Sequence, residues 1–204
     1  MLLYSFSHIN KSLQQIFPSI PLDIIAYDDH NNNRHRCFSS FSLTGSVLDR
    51  HHNDELFISK MSGHNFASEE KISPIPDAAI PEIADFLLEV DKVVFVRLAD
   101  YWIGVNLVRM TSSNGETSLP APSLHQDGYE YSLHLNVSRK NIQGGESILS
   151  PSSHEEDIFC RKILSEGEYI FFDDKMLHHT ATAIKSEIGE YGYRDMIIFD
   201  FIKK

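Results

Sequence analysis

The second half of the chain is a run of short apolar segments held apart by turn residues, and this limits the fold more than any other feature. Val93–Leu98, Tyr101–Met110, Tyr129–Val137, Glu168–Phe172, Met176–Ile184 and Met196–Ile202 are rich in Val, Ile, Phe, Tyr and Leu and are separated by Gly, Asn, Ser and Pro. Such segments read as strands, because β-branched and aromatic side chains suit a pleated, half-buried surface. Two further strands are expected at Cys37–Leu43 and Glu55–Ser59, after a polar, turn-like stretch at 27–36. The best helix is Asp77–Val90, where Ile80, Ile83, Phe86 and Leu87 recur at helical spacing and Pro81 falls in the first turn, a position that needs no N–H partner. A shorter helix is expected over 8–17. Helices early and strands late predict an α+β, mainly β chain. Its strands are expected to close as a sandwich or jelly roll, which shelters sheet edges.

The length of 204 residues fits one domain spanning 1–204, with a helix-containing part over about 1–92 and a strand core over about 93–204. A chain of this size buries roughly 70% of its unfolded surface and needs no disulfide to fold. Its two cysteines, Cys37 and Cys160, are too few for a disulfide framework. They suit a reducing compartment. The net charge of −11 argues against nucleic acid or an anionic membrane as partner, since phosphate binding needs a basic face. No apolar run approaches the ~20 residues that span a bilayer, and the N-terminus lacks the pattern of a signal peptide. A cytoplasmic protein, monomeric or homodimeric, is the expectation.

The chemically informative residues are His125 and Asp127, then His178-His179, then Arg194. His-x-Asp places two ligand types on one side of an extended segment. A histidine 54 residues after His125 joins them only through tertiary structure. Two imidazoles and one carboxylate on one face of a metal leave other positions open, the arrangement of non-haem Fe(II) oxygenases. Strand alternation groups His179 with Leu177, Ala181 and Ala183, the more apolar face, and so favours His179 over His178. The same parity makes Thr182 a poor partner for Arg194. An arginine at the start of an apolar strand calls for an anion, and a guanidinium binds a carboxylate bidentately. That anion is either a dicarboxylate co-substrate or a structural partner such as Asp195 or Asp200.

From His125 to Phe201 the chain resembles the bacterial 2-oxoglutarate/Fe(II) dioxygenases that hydroxylate free amino acids, the isoleucine 4-hydroxylase-like group. The matching blocks are HQDG (125–128), RKNIQGGES (139–147), EGEYIFFDD (166–174), the segment from His179 to Ile184 and GYRD (192–195), with RHRCFSSF (34–41) and HNF (64–66) before them. The resemblance implies a double-stranded β-helix with supporting helices. It also implies Fe(II) held by His125, Asp127 and His179, with 2-oxoglutarate and O2 as co-substrates and Arg194 on the far carboxylate. The implied substrate is a small molecule, most readily a free amino acid. The loop at 111–124 and Thr180 depart from the family pattern and leave the substrate's identity open.

Other residues carry two readings. His134, on the strand after the metal motif, either touches 2-oxoglutarate or a ligand, or is a polar residue on a half-exposed face. Arg34 and Arg36 either bind a substrate α-carboxylate or are surface arginines. Trp102, Tyr129 and Tyr131 line a pocket or fill the core. His30, His51, His52 and His154 sit in polar stretches and read as non-ligands. Two functional alternatives stay open: the same chemistry on a peptidyl side chain, and a non-catalytic jelly-roll binding protein.

Overall fold

The computed structural model describes residues 1–5, 9, 11–22, 33–51, 57, 72–115, 117–118 and 123–204. Its frame is a seven-stranded antiparallel sheet. Strands β1 (Leu2–Ser5), β2 (Arg34–Thr44) and β3 (Val47–Arg50) come from the N-terminal quarter. They are followed by β4 (Tyr101–Ser113), β5 (Thr117–Ser118), β6 (Tyr131–Lys140), β7 (Gln143–Gly144), β8 (Glu146–Ser150) and β9 (Cys160–Ile163). The last are β10 (Glu168–Asp173), β11 (His178–Ala181), β12 (Ile184–Lys185) and β13 (Tyr191–Lys203). The large sheet runs β1-β10-β6-β13-β4-β2-β3, and two small sheets run β11-β8-β9 and β5-β12-β7. This is a mainly β, jelly-roll architecture with two α-helices among the described residues, α1 (Lys11–Ile16) and α2 (Ile80–Asp91).

Strand alternation sorts the large sheet into two chemically different faces. Leu133, Leu135 and Val137 of β6, Ile197, Phe199 and Phe201 of β13, and Ile103, Val105 and Leu107 of β4 share one cluster with Ile83, Phe86, Leu87 and Val90 of α2. Phe86 is the centre of that contact. Its ring stacks on Phe199 and meets Tyr169 edge-on, both at 5.4 Å between centroids. Burying each such side chain contributes about 1.5–3 kcal/mol. The alternate residues, including Ser132, His134 and Asn136 of β6 and Arg194, Ile198 and Asp200 of β13, occupy the opposite face. Register aligns Ile198 with both His134 and Asn106, and Asp200 with Ser132. Leu149 and Leu164 close over this face against Ile170, Phe172 and Met196.

The structure departs from the sequence reading in several places. Val93–Leu98 is not a strand. Helix α2 ends just before it, Val93 and Val94 N–H groups turn back to the Val90 carbonyl, and the Asp91 carboxylate accepts the Leu98 N–H at 2.6 Å. Val94 and Val96 still pack on the core, so the segment buries its apolar side chains without pairing. Arg34, His35 and Arg36, read as part of a turn, belong to β2 and pair with β4. The strand expected over Met176–Ile184 is broken into β11 and β12. Strands β8 and β9 were hidden by their polar residues. The strand expected at Glu55–Ser59 lies outside the described residues, apart from Phe57. Strands β1 to β3, all ahead of residue 92, extend the large sheet at both edges.

Phe86→Ala should cost about 3–5 kcal/mol by chemical denaturation. Asp85→Ala, exposed on the same helix, should change stability by less than about 0.5 kcal/mol.

Candidate active site

Residues far apart in sequence meet here through a two-bond bridge. The His125 N–H donates to the His179 carbonyl at 3.1 Å, and the His179 N–H donates to the His125 carbonyl at 2.8 Å. The bridge stitches the 125–127 segment alongside β11. Strand β11 is itself held by β8, with His179 opposite Leu149 and Ala181 opposite Ser147. His179 therefore points inward and is buried, while His178 takes the other face. Gly128 has φ +82, a conformation that favours glycine, and turns the chain into β6. The turn is fixed by Asp174, a fully buried carboxylate at the end of β10. It accepts the N–H groups of Gly128 at 2.7 Å, Tyr129 at 3.0 Å and Asp127 at 3.4 Å.

The result is a compact donor set. One ligand-type atom each from His125, Asp127 and His179 lies within 4.8 Å of the others. His125 Nε2 is 3.7 Å from Asp127 Oδ1 and His179 Nε2 is 3.4 Å from Asp127 Oδ2. The opposite ring nitrogens face acceptors. His125 Nδ1 is 2.8 Å from the Ser123 carbonyl, and His179 Nδ1 is 3.3 Å from Asp174 Oδ1. A carbonyl only accepts, so His125 carries its proton on Nδ1 and directs its Nε2 lone pair at the cluster. The charges reinforce one another. Burial alone would lower His179, but Asp127 and Asp174 override it and lift the imidazole to about 9. Burial would raise Asp127, yet His179 and His125 hold it below the usual carboxylate range. Such a cage favours a cation.

A second cluster adjoins it. Arg194 is buried, with Nε 3.4 Å from Asn136 Oδ1 and Nη2 3.3 Å from Ser147 Oγ. Neither partner is charged, and among the described residues no carboxylate pairs with it. Both candidate structural partners are engaged elsewhere. Asp195 accepts two bonds from Arg109, at 2.6 and 2.8 Å, and one from Ser138. Asp200 accepts from Ser132 at 2.9 Å and Asn106 at 3.2 Å. Burial, helped by nearby Arg139, pulls the Arg194 guanidinium down to about 10. Gly145 makes room for it: a Cβ there would lie 3.3 Å from Arg194 Cδ. His134 faces the same space, its ring 5.1 Å from that of His179 and its Nε2 without a partner among the described residues. Burial pushes His134 well below 6.5, which leaves it neutral. Thr182 accepts the Glu146 N–H rather than meeting Arg194.

A family profile described as 2OG-Fe dioxygenase matches residues 14–200. The chain belongs to the 2OG-Fe dioxygenase family. Enzymes of this family use Fe(II), 2-oxoglutarate and O2, and the donor set and unpaired cationic pocket fit the metal and the dicarboxylate respectively. Among solved structures, IDO from Bacillus thuringiensis is similar, with TM-score 0.73 and 18% identity over 95% of this chain and 85% of that one. A bsmA homolog from Methylobium petroleophilum PM1 gives 0.73 and 16%, over 95% and 80%. The Fe(II)/(alpha)ketoglutarate-dependent dioxygenase TqaL gives 0.61 and 12%, over 95% and 74%. At these identities the likeness shows the shared fold. No curated protein gives a sequence match.

The remaining expected residues divide clearly in this family member. Arg36 lies on the inner face and donates to Asn106 Oδ1 from Nε at 2.9 Å and Nη2 at 2.6 Å. Arg34 shares that face, opposite Met110 as Arg194 is. Tyr131 belongs to the opposite side, stacked on Phe171 at 5.2 Å. Trp102 packs against His51 and Lys204, and Tyr129 against Phe57. His154 is exposed, and His30, His52 and the 64–66 block lie outside the described residues. Burial raises both thiols, Cys37 to about 11, so neither is poised as a nucleophile. Among the described residues, no helix is long and apolar enough to cross a membrane. Asn136, Ser147, Asn106, Asp174 and Asp200 were missed as site-facing residues. Two of these had a readable signal, an acid inside or directly after an apolar strand.

His179 gives a pH test in metal-free protein. Its folded value of about 9 exceeds the ordinary 6.5, so its stabilising contribution is fully present below pH 6.5 and is lost as pH rises towards 9. The denaturation midpoint of chelator-treated protein should fall across that window. The same fall should be absent in His179→Ala.

Proposed function

We propose that this chain is an active Fe(II)/2-oxoglutarate dioxygenase that hydroxylates a small molecule, most readily a free L-amino acid, releasing succinate and CO2. In this reading His125 and His179 bind Fe(II) through Nε2 and Asp127 binds through its carboxylate. The bound iron and co-substrate supply the oxidising power for an unactivated C–H bond. The protein's own residues bind, orient and exclude water. Arg194 receives the far carboxylate of 2-oxoglutarate, with Asn136 and Ser147 aiming the guanidinium. Neutral His134 presents a ring nitrogen to the same space without adding charge.

The observation that carries the substrate class is the line Arg36–Asn106–Asp200 on the inner face. Arg36 donates into one end of the Asn106 amide, and the other end donates to Asp200. A cation and a carboxyl group thus flank one neutral side chain. Burial and the nearby charge of Asp127 push Asp200 well above the carboxylate range, and among the described residues no cation pairs with it. A free amino acid brings an ammonium that pairs with Asp200, and its carboxylate is then directed towards the Arg36 side of Asn106. An internal peptide residue has neither a free α-ammonium nor a free α-carboxylate. One domain of this size, with one site on one sheet face, also suits a small substrate.

The test uses Fe(II), 2-oxoglutarate and ascorbate with a panel of free L-amino acids and their N-acetyl amides, following succinate and substrate mass. A free amino acid should gain one oxygen and its blocked form should not. Turnover of blocked forms alone would overturn the substrate class in favour of a peptidyl target. Absence of succinate with every substrate, and of a visible charge-transfer band with anaerobic Fe(II) and 2-oxoglutarate, would favour a non-catalytic binding protein. Asp127→Ala and His179→Ala should reduce turnover to background, while His178→Ala retains it. Arg194→Ala should mainly raise KM for 2-oxoglutarate, and Asp200→Asn should mainly raise KM for the amino acid.

A further inference from the structure

We infer that Asp174 is a positioning residue for the metal centre: one buried carboxylate shapes the turn that carries Asp127 and lies against His179 Nδ1, so that a bound metal takes Nε2 and the ring proton stays on Nδ1. The inference rests on the reading of His125, Asp127 and His179 as metal ligands. It goes further in assigning their arrangement to a fourth residue.

The geometry is specific. Asp174 is fully buried; three backbone N–H groups donate to its two oxygens, and the His179 ring lies beside them. Oδ2 takes the short bonds, from the Gly128 N–H at 2.7 Å and the Tyr129 N–H at 3.0 Å. Oδ1 takes the Asp127 N–H at 3.4 Å and lies 3.3 Å from His179 Nδ1. The three donors are on the segment that presents Asp127, and the neighbouring ring is the one that completes the donor set. The carboxylate therefore links two segments that the His125–His179 bridge joins only through backbone. Its neighbour Asp173 acts elsewhere. The Asp173 Oδ1 accepts the Lys175 and Met176 N–H groups at 3.0 and 3.1 Å and shapes the turn towards β11.

An amide cannot take over this role. Asn at 174 has one accepting oxygen and one donating NH2 group. If the oxygen keeps Gly128 and Tyr129, the NH2 faces His179 Nδ1. The ring then satisfies it by presenting the Nδ1 lone pair, which moves the proton to Nε2, on the side of the metal. If the amide flips, its NH2 opposes two backbone N–H groups and the turn carrying Asp127 is lost. Both outcomes damage the donor set without removing a ligand.

The experiment is a Co(II) titration of the full chain, read by absorbance and without turnover. Asp174→Asn should weaken Co(II) binding about 10–100-fold, the range for partners of a ligating histidine. Asp195→Asn is the control. Asp195 is equally buried and bonded to Arg109 and Ser138, so its loss should lower stability but leave Co(II) affinity unchanged. Equal affinity in Asp174→Asn and wild type overturns the inference, as does an equal loss in Asp195→Asn. If Asp174→Asn does not fold, the wild type answers alone. In Zn(II)-loaded, ¹⁵N-labelled protein, His179 should show a protonated Nδ1 and a metal-bound Nε2; metal on Nδ1 overturns the inference. Wild type that binds no Co(II) is the distinct outcome that removes the metal-centre reading and this inference with it.

Discussion

Strand alternation along β4, β6 and β13 is the constraint on which the rest depends. Each strand must offer every second residue to helix α2 and its surroundings, and Leu133, Leu135, Ile197, Phe199, Val105 and Leu107 meet that demand. The intervening positions are thereby released from packing against helices and face the small sheets. There a polar side chain costs little provided it finds a hydrogen-bond partner. His134, Asn136, Arg194, Asn106 and Asp200 all sit at these positions. A one-residue slip in register would bury all of these polar groups against the helix and expose the core. The apolar face therefore fixes the register, and the register places the site.

Charge pairing separates scaffold from site. Arg109 and Asp195 form a buried bidentate pair whose remaining acceptor capacity is used by Ser138. Such a pair is self-contained and asks nothing of a ligand. Among the described residues, Arg194 and Asp200, on the same face of β13, are buried with neutral partners only. Burying a charged group without a counter-charge is costly, and such positions concentrate at functional sites. Arg194 and Asp200 lie apart on one strand face, with the donor set of His125, Asp127 and His179 next to it. Six residues of extended strand, about 20 Å, separate them, so they form no internal ion pair.

Much of this was legible because it depends on short-range rules. The pattern of Ile80, Ile83, Phe86 and Leu87 located helix α2, and parity along 177–183 distinguished His179 from His178. What escaped depended on tertiary context. Val93–Leu98 has a strand's composition, but the helix end before it and the Asp91 carboxylate claim its backbone. Arg34 and Arg36 looked like loop residues because asparagines precede them; pairing with β4 makes them strand. Asp174 sits directly beside Asp173, and only burial and the approach of the Gly128 turn separate their roles. Ser147 gave no signal at all, since its value lies in being opposite Ala181 and near Arg194.

The net charge of −11 adds a final constraint. A dianionic co-substrate approaching an acidic protein is repelled at long range, although salt screens that repulsion beyond about 8–10 Å. Capture must therefore come from short-range, desolvated positive charge. In the proposed function Arg194 provides it inside the sheet, with Arg139 on the paired position of β6, where Nη2 is tethered to the Ile142 and Gly144 carbonyls. Placing two guanidiniums side by side is unfavourable without an anion between or beside them; burial lowers Arg194 first, and Arg139 adds to it. The same repulsion becomes selectivity: a ligand with one carboxylate offsets less of it than a dicarboxylate that also reaches the metal. Local positive strain within a globally acidic chain thus favours a compact dianion over the surrounding monoanions.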